Sequence, residues 1–147
     1  MGKKDYDPAM HTAEHILNQT MDRLFACGRS FNAHIEKKKS KCDYRFSRPL
    51  AAEEIAAVEA AVNRVIGQNL VVSEHRVDRA EAEQSYFTGK LPANAGKWIR
   101  IITVGDYDAC PCIGRHVLRT SDIPGFRILS ASHENGVLRI RFTLRPE

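Results

Sequence analysis

The stretch HTAEH at residues 11–15 sets two imidazoles four residues apart, and CIGRH at residues 112–116 sets a thiol and a third imidazole at the same spacing. Residues i and i+4 on a helix lie about 5–6 Å apart at Cβ, so His11 and His15 can reach one ion from a single helical face. Cys110, Pro111 and Gly114 oppose a regular helix around the second pair, which puts Cys112 and His116 on either side of a turn. Three neutral nitrogens and one thiolate suit tetrahedral zinc. An ion shared by both pairs obliges segments near opposite ends of the chain to meet, a stronger demand on the fold than any local preference.

Each pair alone has an ordinary explanation, because an HxxxH on a helix is commonly surface or satisfied core. Two matched pairs in a chain with six histidines favour the shared ion. HTAEH is not the zinc protease signature: Thr12 stands where that motif needs Glu, and Glu14, directly before His15, cannot polarise water in the protease manner. A purely structural metal stays open, since four protein ligands close a tetrahedral shell whereas catalytic zinc usually keeps a position for water. Binding energies of about 10–16 kcal/mol for structural zinc suffice to clamp a helix to a distant loop.

The apolar positions place the elements around these pairs. Asp7 and Pro8 form a cap and first-turn pair. Met10, Ala13, Leu17, Met21 and Leu24 then recur at helical spacing until Gly28. Residues 30–36 and 41–47 read as two strands around a lysine-rich turn. A second helix spans about residues 51–68, with Ile55, Val58, Val62, Val65 and Ile66 as its buried face. A strand follows from Leu70, Asp78 caps a short helix ending near Gly89, and residues 90–97 form a surface loop. WIRIITV from Trp98 is a strand, with the Cys112 and His116 turn just after it. FRILSASHENGVLRIRFTL is a hairpin turning at Asn135 and Gly136. Strand pairs joined by hairpins beside two long helices make an α+β fold, with the helices on one face of a largely antiparallel sheet.

At 147 residues, 43% hydrophobic and 27% charged, the chain is sized and composed as one globular domain, 1–147. No apolar run reaches the roughly 18 residues needed to cross a bilayer, and MGKKDYDPAM lacks the apolar core of a secretory signal, so the expected compartment is the cytoplasm. There, Cys27, Cys42, Cys110 and Cys112 are core fillers or metal ligands rather than disulfide partners; Cys27, after an apolar stripe, is expected in the core. A net charge of +4 permits a polyanionic partner without demanding one. Lys37, Lys38, Lys39 and Lys41 crowd one turn, either a solvated hairpin tip or a contact for phosphates.

In order along the chain, HTAEHIL, CDYRFSRPL, EEIAAVEAAVNRVIGQN, CIGRHV, RTSDIPGFRIL and NGVLRIRF resemble the editing domain shared by alanyl- and threonyl-tRNA synthetases. The resemblance covers about residues 11–142. With no aminoacylation domain in the sequence, it is nearest to the freestanding AlaX proteins. It implies a trans-editing hydrolase that deacylates mischarged aminoacyl-tRNA, typically Ser- or Gly-tRNA(Ala), at a site holding one Zn2+ per chain, with the tRNA acceptor end as partner and no membrane. Such a second sieve is needed because a synthetase pocket cannot strongly reject an isostere that merely adds a hydroxyl.

The resemblance makes His11, His15, Cys112 and His116 the zinc ligands. It sets Thr12, Asn32 and Gly114 along the substrate pocket, Asn32 standing in for a family glutamine; Arg115, which departs from the family motif, either binds the substrate's phosphate in that pocket or merely reaches solvent, and the lysine turn is expected to contact tRNA phosphates. The alanine-type motif reads CGGTH and the threonine-type CRGPH, so CIGRH shares only Gly114 between its ends, and Arg115 adds a cation beside a ligand. Where the family carries an acid two residues before the thiol, this chain has Cys110, either an alternative ligand or a small buried side chain. Arg45 also replaces a common acid. Two further readings follow: a non-catalytic, zinc-stabilised tRNA-binding module, favoured by the missing carboxylate, and a metal-dependent hydrolase of another small ester or amide.

Overall fold

The computed structural model describes residues 7–86 and 96–144. Helix α1 (Pro8–Phe25) starts where expected: the Asp7 carboxylate accepts from the backbone N–H groups of Ala9 and Met10, and Pro8 occupies the first turn. It stops earlier than Gly28. Ala26 takes the left-handed conformation and its N–H donates to Asp22 O, which ends the helix without a glycine and leaves Leu24 48% exposed rather than in the stripe.

Strands β1 (Asn32–His34) and β2 (Ser40–Arg45) flank the lysine turn, both shorter than expected. Helix α2 (Ala52–Gly67) buries Val58, Val62, Val65 and Ile66. Strand β3 (Val72–Asp78) leads into α3 (Arg79–Ser85), capped as expected by Asp78, whose carboxylate accepts from Glu81 N. The expected end near Gly89 and most of the surface loop at 90–97 lie outside the described residues. Strand β4 (Trp98–Val104) turns into a strand that the sequence reading lacked, β5 (Asp108–Pro111), so Cys112 follows β5 and not β4. Strands β6 (Arg127–Glu134) and β7 (Val137–Thr143) form the terminal hairpin, with Asn135 and Gly136 at positive φ.

The architecture is α+β. The antiparallel strands divide between a four-stranded sheet ordered β1-β2-β7-β6 and a three-stranded sheet ordered β3-β4-β5. In the larger sheet, Cys42, Tyr44, Leu138, Ile140 and Phe142 share one face and pack with Met10, Ile16, Leu17 and Met21 of α1 and with the stripe of α2. Cys27 packs half-buried against this core. Val77, Ile99 and Ile101 of the smaller sheet bury Ala82 of α3 in a second cluster. Among the described residues, no helix is long and apolar enough to cross a membrane.

The other face of the larger sheet is polar and centred on Asp43. Arg139 donates to both its oxygens (2.8 and 3.0 Å) and Lys41 to Oδ2 (3.0 Å), which holds the carboxyl well below the usual carboxylate range. Replacing Asp43 by Asn leaves two neighbouring cations without their counter-charge. Asp43→Asn is expected to lower stability by about 1–3 kcal/mol in urea unfolding with an unchanged m value; an unaltered midpoint would show the pair to be neutral.

Candidate metal centre

Helix α1 is buried along two adjoining sides. One carries the apolar stripe, and the other carries His11, Thr12, Glu14, His15 and Asn18. Residues 107–117 run antiparallel against that polar side. Arg23 Nη2 donates to Tyr107 O (2.7 Å), and Tyr107 Oη meets Thr20 Oγ1 (2.6 Å). Gln19 Nε2 donates to Asp108 Oδ1 (2.8 Å), and His15 Nδ1 lies 3.6 Å from Asp108 Oδ2. His11 Nε2 lies 3.5 Å from Cys112 Sγ, and Val117 N donates to Thr12 Oγ1 (3.2 Å).

This seam brings the four expected ligands together. One donor atom each from His11, His15, Cys112 and His116 lies within 4.8 Å of all the others. An ion with bonds of about 2.0–2.3 Å in tetrahedral geometry separates its ligand atoms by roughly 3.3–3.6 Å, so the widest pair of the group would close by about 1 Å on binding one. Nε2 of His116 is buried without a hydrogen-bond partner. A buried polar atom left so costs free energy unless something else engages it. The donor chemistry and this orphaned nitrogen both fit a metal ion.

Neighbouring groups orient the ligands. Thr12 Oγ1 donates to Pro8 O (3.0 Å), so it accepts from Nδ1–H of His116 at 2.9 Å, and that tautomer leaves the Nε2 lone pair facing the group. Asp108 is buried under His15 and held by Arg29, whose guanidinium donates to both oxygens (2.7 and 3.3 Å). Despite burial, which opposes it, this ion pair and the contact to His15 bring the Asp108 pKa down to about 2. A carboxylate behind an imidazole is the usual way to fix a ligand's tautomer and raise its basicity.

Arg100 Nη1 donates to the carbonyls of Cys112 (3.0 Å) and Gly114 (2.8 Å), clamping the ligand turn to β4. At Gly114 a Cβ would overlap Nδ1 and Cε1 of His11, so only glycine allows this approach. Glu14 is buried with Oε1 3.4 Å from His11 Nε2.

Burial, the largest influence on each group, acts against the Cys112 thiolate but is outweighed by the imidazoles of His11, His116 and His15 gathered around the sulfur, so the thiol pKa falls to about 3. Burial likewise opposes charge on His15, yet Asp108 and Cys112 raise it to about 9. His116, buried and facing other imidazoles, drops to about 4. Without metal the group is therefore a thiolate–imidazolium pair beside a neutral imidazole.

The remaining expected residues fall in three places. Thr12, fully buried, lies behind His116, and Arg115 is exposed on the ligand turn. Asn32 donates to Asp43 (3.3 Å) on the face of the larger sheet opposite Tyr44, while Tyr44 reaches Asn18 of α1; the structure thus separates Asn32 from the metal centre. Lys37, Lys38 and Lys39 are exposed at the β1–β2 turn, whereas Lys41 is tied to Asp43. Cys110 stands outside the four-residue group as a thiol that burial pushes up to about 12.

Asp108, Arg29 and Arg100 were not anticipated. The alternation Asp108, Cys110, Cys112 was the available signal for β5, obscured by Pro111. Position 110 carries no carboxylate, but that of Asp108, two residues earlier on the same strand, stands buried beside His15.

Residues 99–141 match the Threonyl and Alanyl tRNA synthetase second additional domain, a segment that contains Cys112 and His116 but neither His11 nor His15. The chain is 36% identical to an alanine–tRNA ligase of Aeropyrum pernix over 90% of its own length and 15% of that ligase. It is 30% identical to those of Coxiella burnetii, covering 83% of the chain and 14% of the ligase, and of Paramagnetospirillum magneticum, covering 98% and 17%. The chain thus spans about one-seventh to one-sixth of the curated relatives it matches.

Metal-free stability follows from the pKa shifts. Cys112 and His116, both depressed in the fold, contribute stability that is lost as pH falls, from 9 towards 3 for Cys112 and from 6.5 towards 4 for His116, so both losses act together below about 6.5. His15 loses its contribution as pH rises from 6.5 towards 9, while that of Cys112 still grows, so the two offset there. Urea unfolding of chelated, reduced protein is expected to weaken steeply below pH 6.5 and stay nearly level up to 9; weakening with rising pH across that upper range would contradict it. Asp108→Asn is expected to lower metal affinity about 10–100-fold in chelator competition, with metal-free unfolding measured in parallel to separate out the loss of the Arg29 pair.

Proposed function

The chain is a domain of the alanyl-tRNA synthetase editing type, and on that premise we propose that it hydrolyses the ester of mischarged aminoacyl-tRNA, with Ser- or Gly-tRNA(Ala) as substrates. The observation that carries this reading is the joining of three imidazoles and a thiolate from α1 and the turn after β5 into one donor group. We assign zinc to it on donor chemistry, as three nitrogens and a sulfur suit that ion. When bound, zinc supplies Lewis acidity and a fixed positive charge at the reacting ester.

The residues around the group serve orientation. Thr12 Oγ1 holds the Nδ1 proton of His116, and Asp108 faces Nδ1 of His15, so each ring keeps Nε2 for the site. Gly114 lets the ligand turn close over His11, and Arg100 fixes that turn through two carbonyls. Arg115, exposed on the same turn, is assigned to the phosphate of the terminal nucleotide, where a guanidinium pairs best. The lysines at 37–39 are assigned to phosphates elsewhere on the tRNA. Positioning of this kind accounts for much of the acceleration available to an ester hydrolase.

A second reading is a zinc-stabilised tRNA-binding module without turnover. It draws support from the donor set itself, because four protein ligands leave no position open for water. A deacylation panel of serine, glycine, threonine and alanine esters on alanine and threonine tRNAs separates the two. Hydrolysis of the serine or glycine ester on alanine tRNA is expected, sparing the alanine ester and abolished by His11→Ala or by chelation. Tight tRNA binding with no ester cleaved by the metal-loaded protein would establish the module instead.

A further inference from the structure

On the outer face of the larger sheet, opposite α1, side chains at alternate positions share one surface. Lys41 stands directly opposite Arg141, Asp43 opposite Arg139, and Arg127 opposite Thr143. Arg45 completes the row on β2, its guanidinium 3.9 Å from the ring centroid of Phe31. Among the described residues of these strands, the face carries five cations against the carboxylates of Asp43 and Glu134, with Ser130 and Ser132 as hydroxyl donors between them. The Lys38 carbonyl accepts from Thr143 Oγ1 at 2.5 Å, which seats the exposed lysine turn at the end of the same face.

Two features distinguish this face from an ordinary solvated surface. Like charges directly opposite across a strand pair are destabilising, yet Lys41 and Arg141 oppose each other across the two inner strands. Asp43 is already engaged by Arg139 and Lys41, so it adds little counter-charge for Arg141, Arg127 and Arg45. Cations set roughly 5–7 Å apart in two dimensions suit a row of phosphates. A membrane surface is less apt, because Val137, the bulged Leu129 and Phe31, whose ring is covered by Arg45, give little apolar area to enter a headgroup layer.

We propose that this outer face, headed by the lysine turn, is a docking surface for the sugar–phosphate backbone of RNA, on the side of the larger sheet away from the metal centre. The choice of RNA among polyanions rests on the editing reading above; the charge arrangement does not. A tRNA held here is gripped through its body while its acceptor end is presented separately to the metal centre.

The test is anisotropy binding of deacylated tRNA to the full, metal-loaded chain over a range of salt. Arg127→Ala with Arg141→Ala is expected to reduce the slope of log Kobs against log salt by about 1.4–1.8, two phosphate contacts' worth, with thermal unfolding confirming the fold. Arg64→Ala with Arg76→Ala, exposed cations off this face, controls for net charge and is expected to leave the slope unchanged. An equal loss in both pairs, no loss in the first, or binding to phosphatidylserine vesicles in place of tRNA would overturn the docking surface. RNA binding with the predicted slope but no ester cleavage would instead overturn the hydrolase and leave this surface standing.

Discussion

The fold turns on the polar seam between α1 and residues 107–117. A helix this deeply buried must satisfy polar side chains on the flank that its apolar stripe does not cover, since each one left unpaired costs about 1–3 kcal/mol. Successive turns of α1 meet successive residues of the strand and ligand turn, from Arg23 and Thr20 at Tyr107, through Gln19 and His15 at Asp108, to His11 at Cys112 and Thr12 at Val117. The seam joins the two sheets, because α1 is packed on the larger one and β5 belongs to the smaller.

The candidate metal centre is the end of this seam nearest the helix N-terminus. Two of its donor residues come from the helix at one-turn spacing, and two from a segment that Arg100 holds against β4. Asp108 links the centre to the hydrogen-bonded part of the seam, and Arg29 keeps it ionised. Breaking a buried pair such as Arg29 and Asp108 is far worse than never having had it, because one charge is left uncompensated. That dependence ties the centre's geometry to residues distant from it in sequence.

Much of this was legible without coordinates. Asp7 and Pro8 carry cap chemistry that acts within three residues. The stripe of α2 and the Asn135–Gly136 turn are equally local, and their elements appear where the pattern puts them. The meeting of His11, His15, Cys112 and His116 was legible because four residues at matched spacing share one chemistry, and the structure brings their donor atoms together. Gly28 misled because Ala26 accepts the left-handed conformation when its N–H reaches Asp22 O. Strand β5 was missed because Pro111 masks its alternation. Asn32 could not be placed from a motif alone, since a strand turns each residue to one face or the other by register, and pairing with Asp43 puts it on the outer face.

By itself the sequence determined which residues form helices, which turn tightly, and which four could share an ion, because propensity, capping and ligand chemistry are properties of neighbours along the chain. Only the tertiary structure decided that β5 lies against α1, that the Asp108 carboxylate comes to stand beside His15, and that Lys41 and Arg141 meet on an outer face. Those outcomes depend on strand pairing and sheet facing, which are set by burial across the whole domain and not by any window of residues.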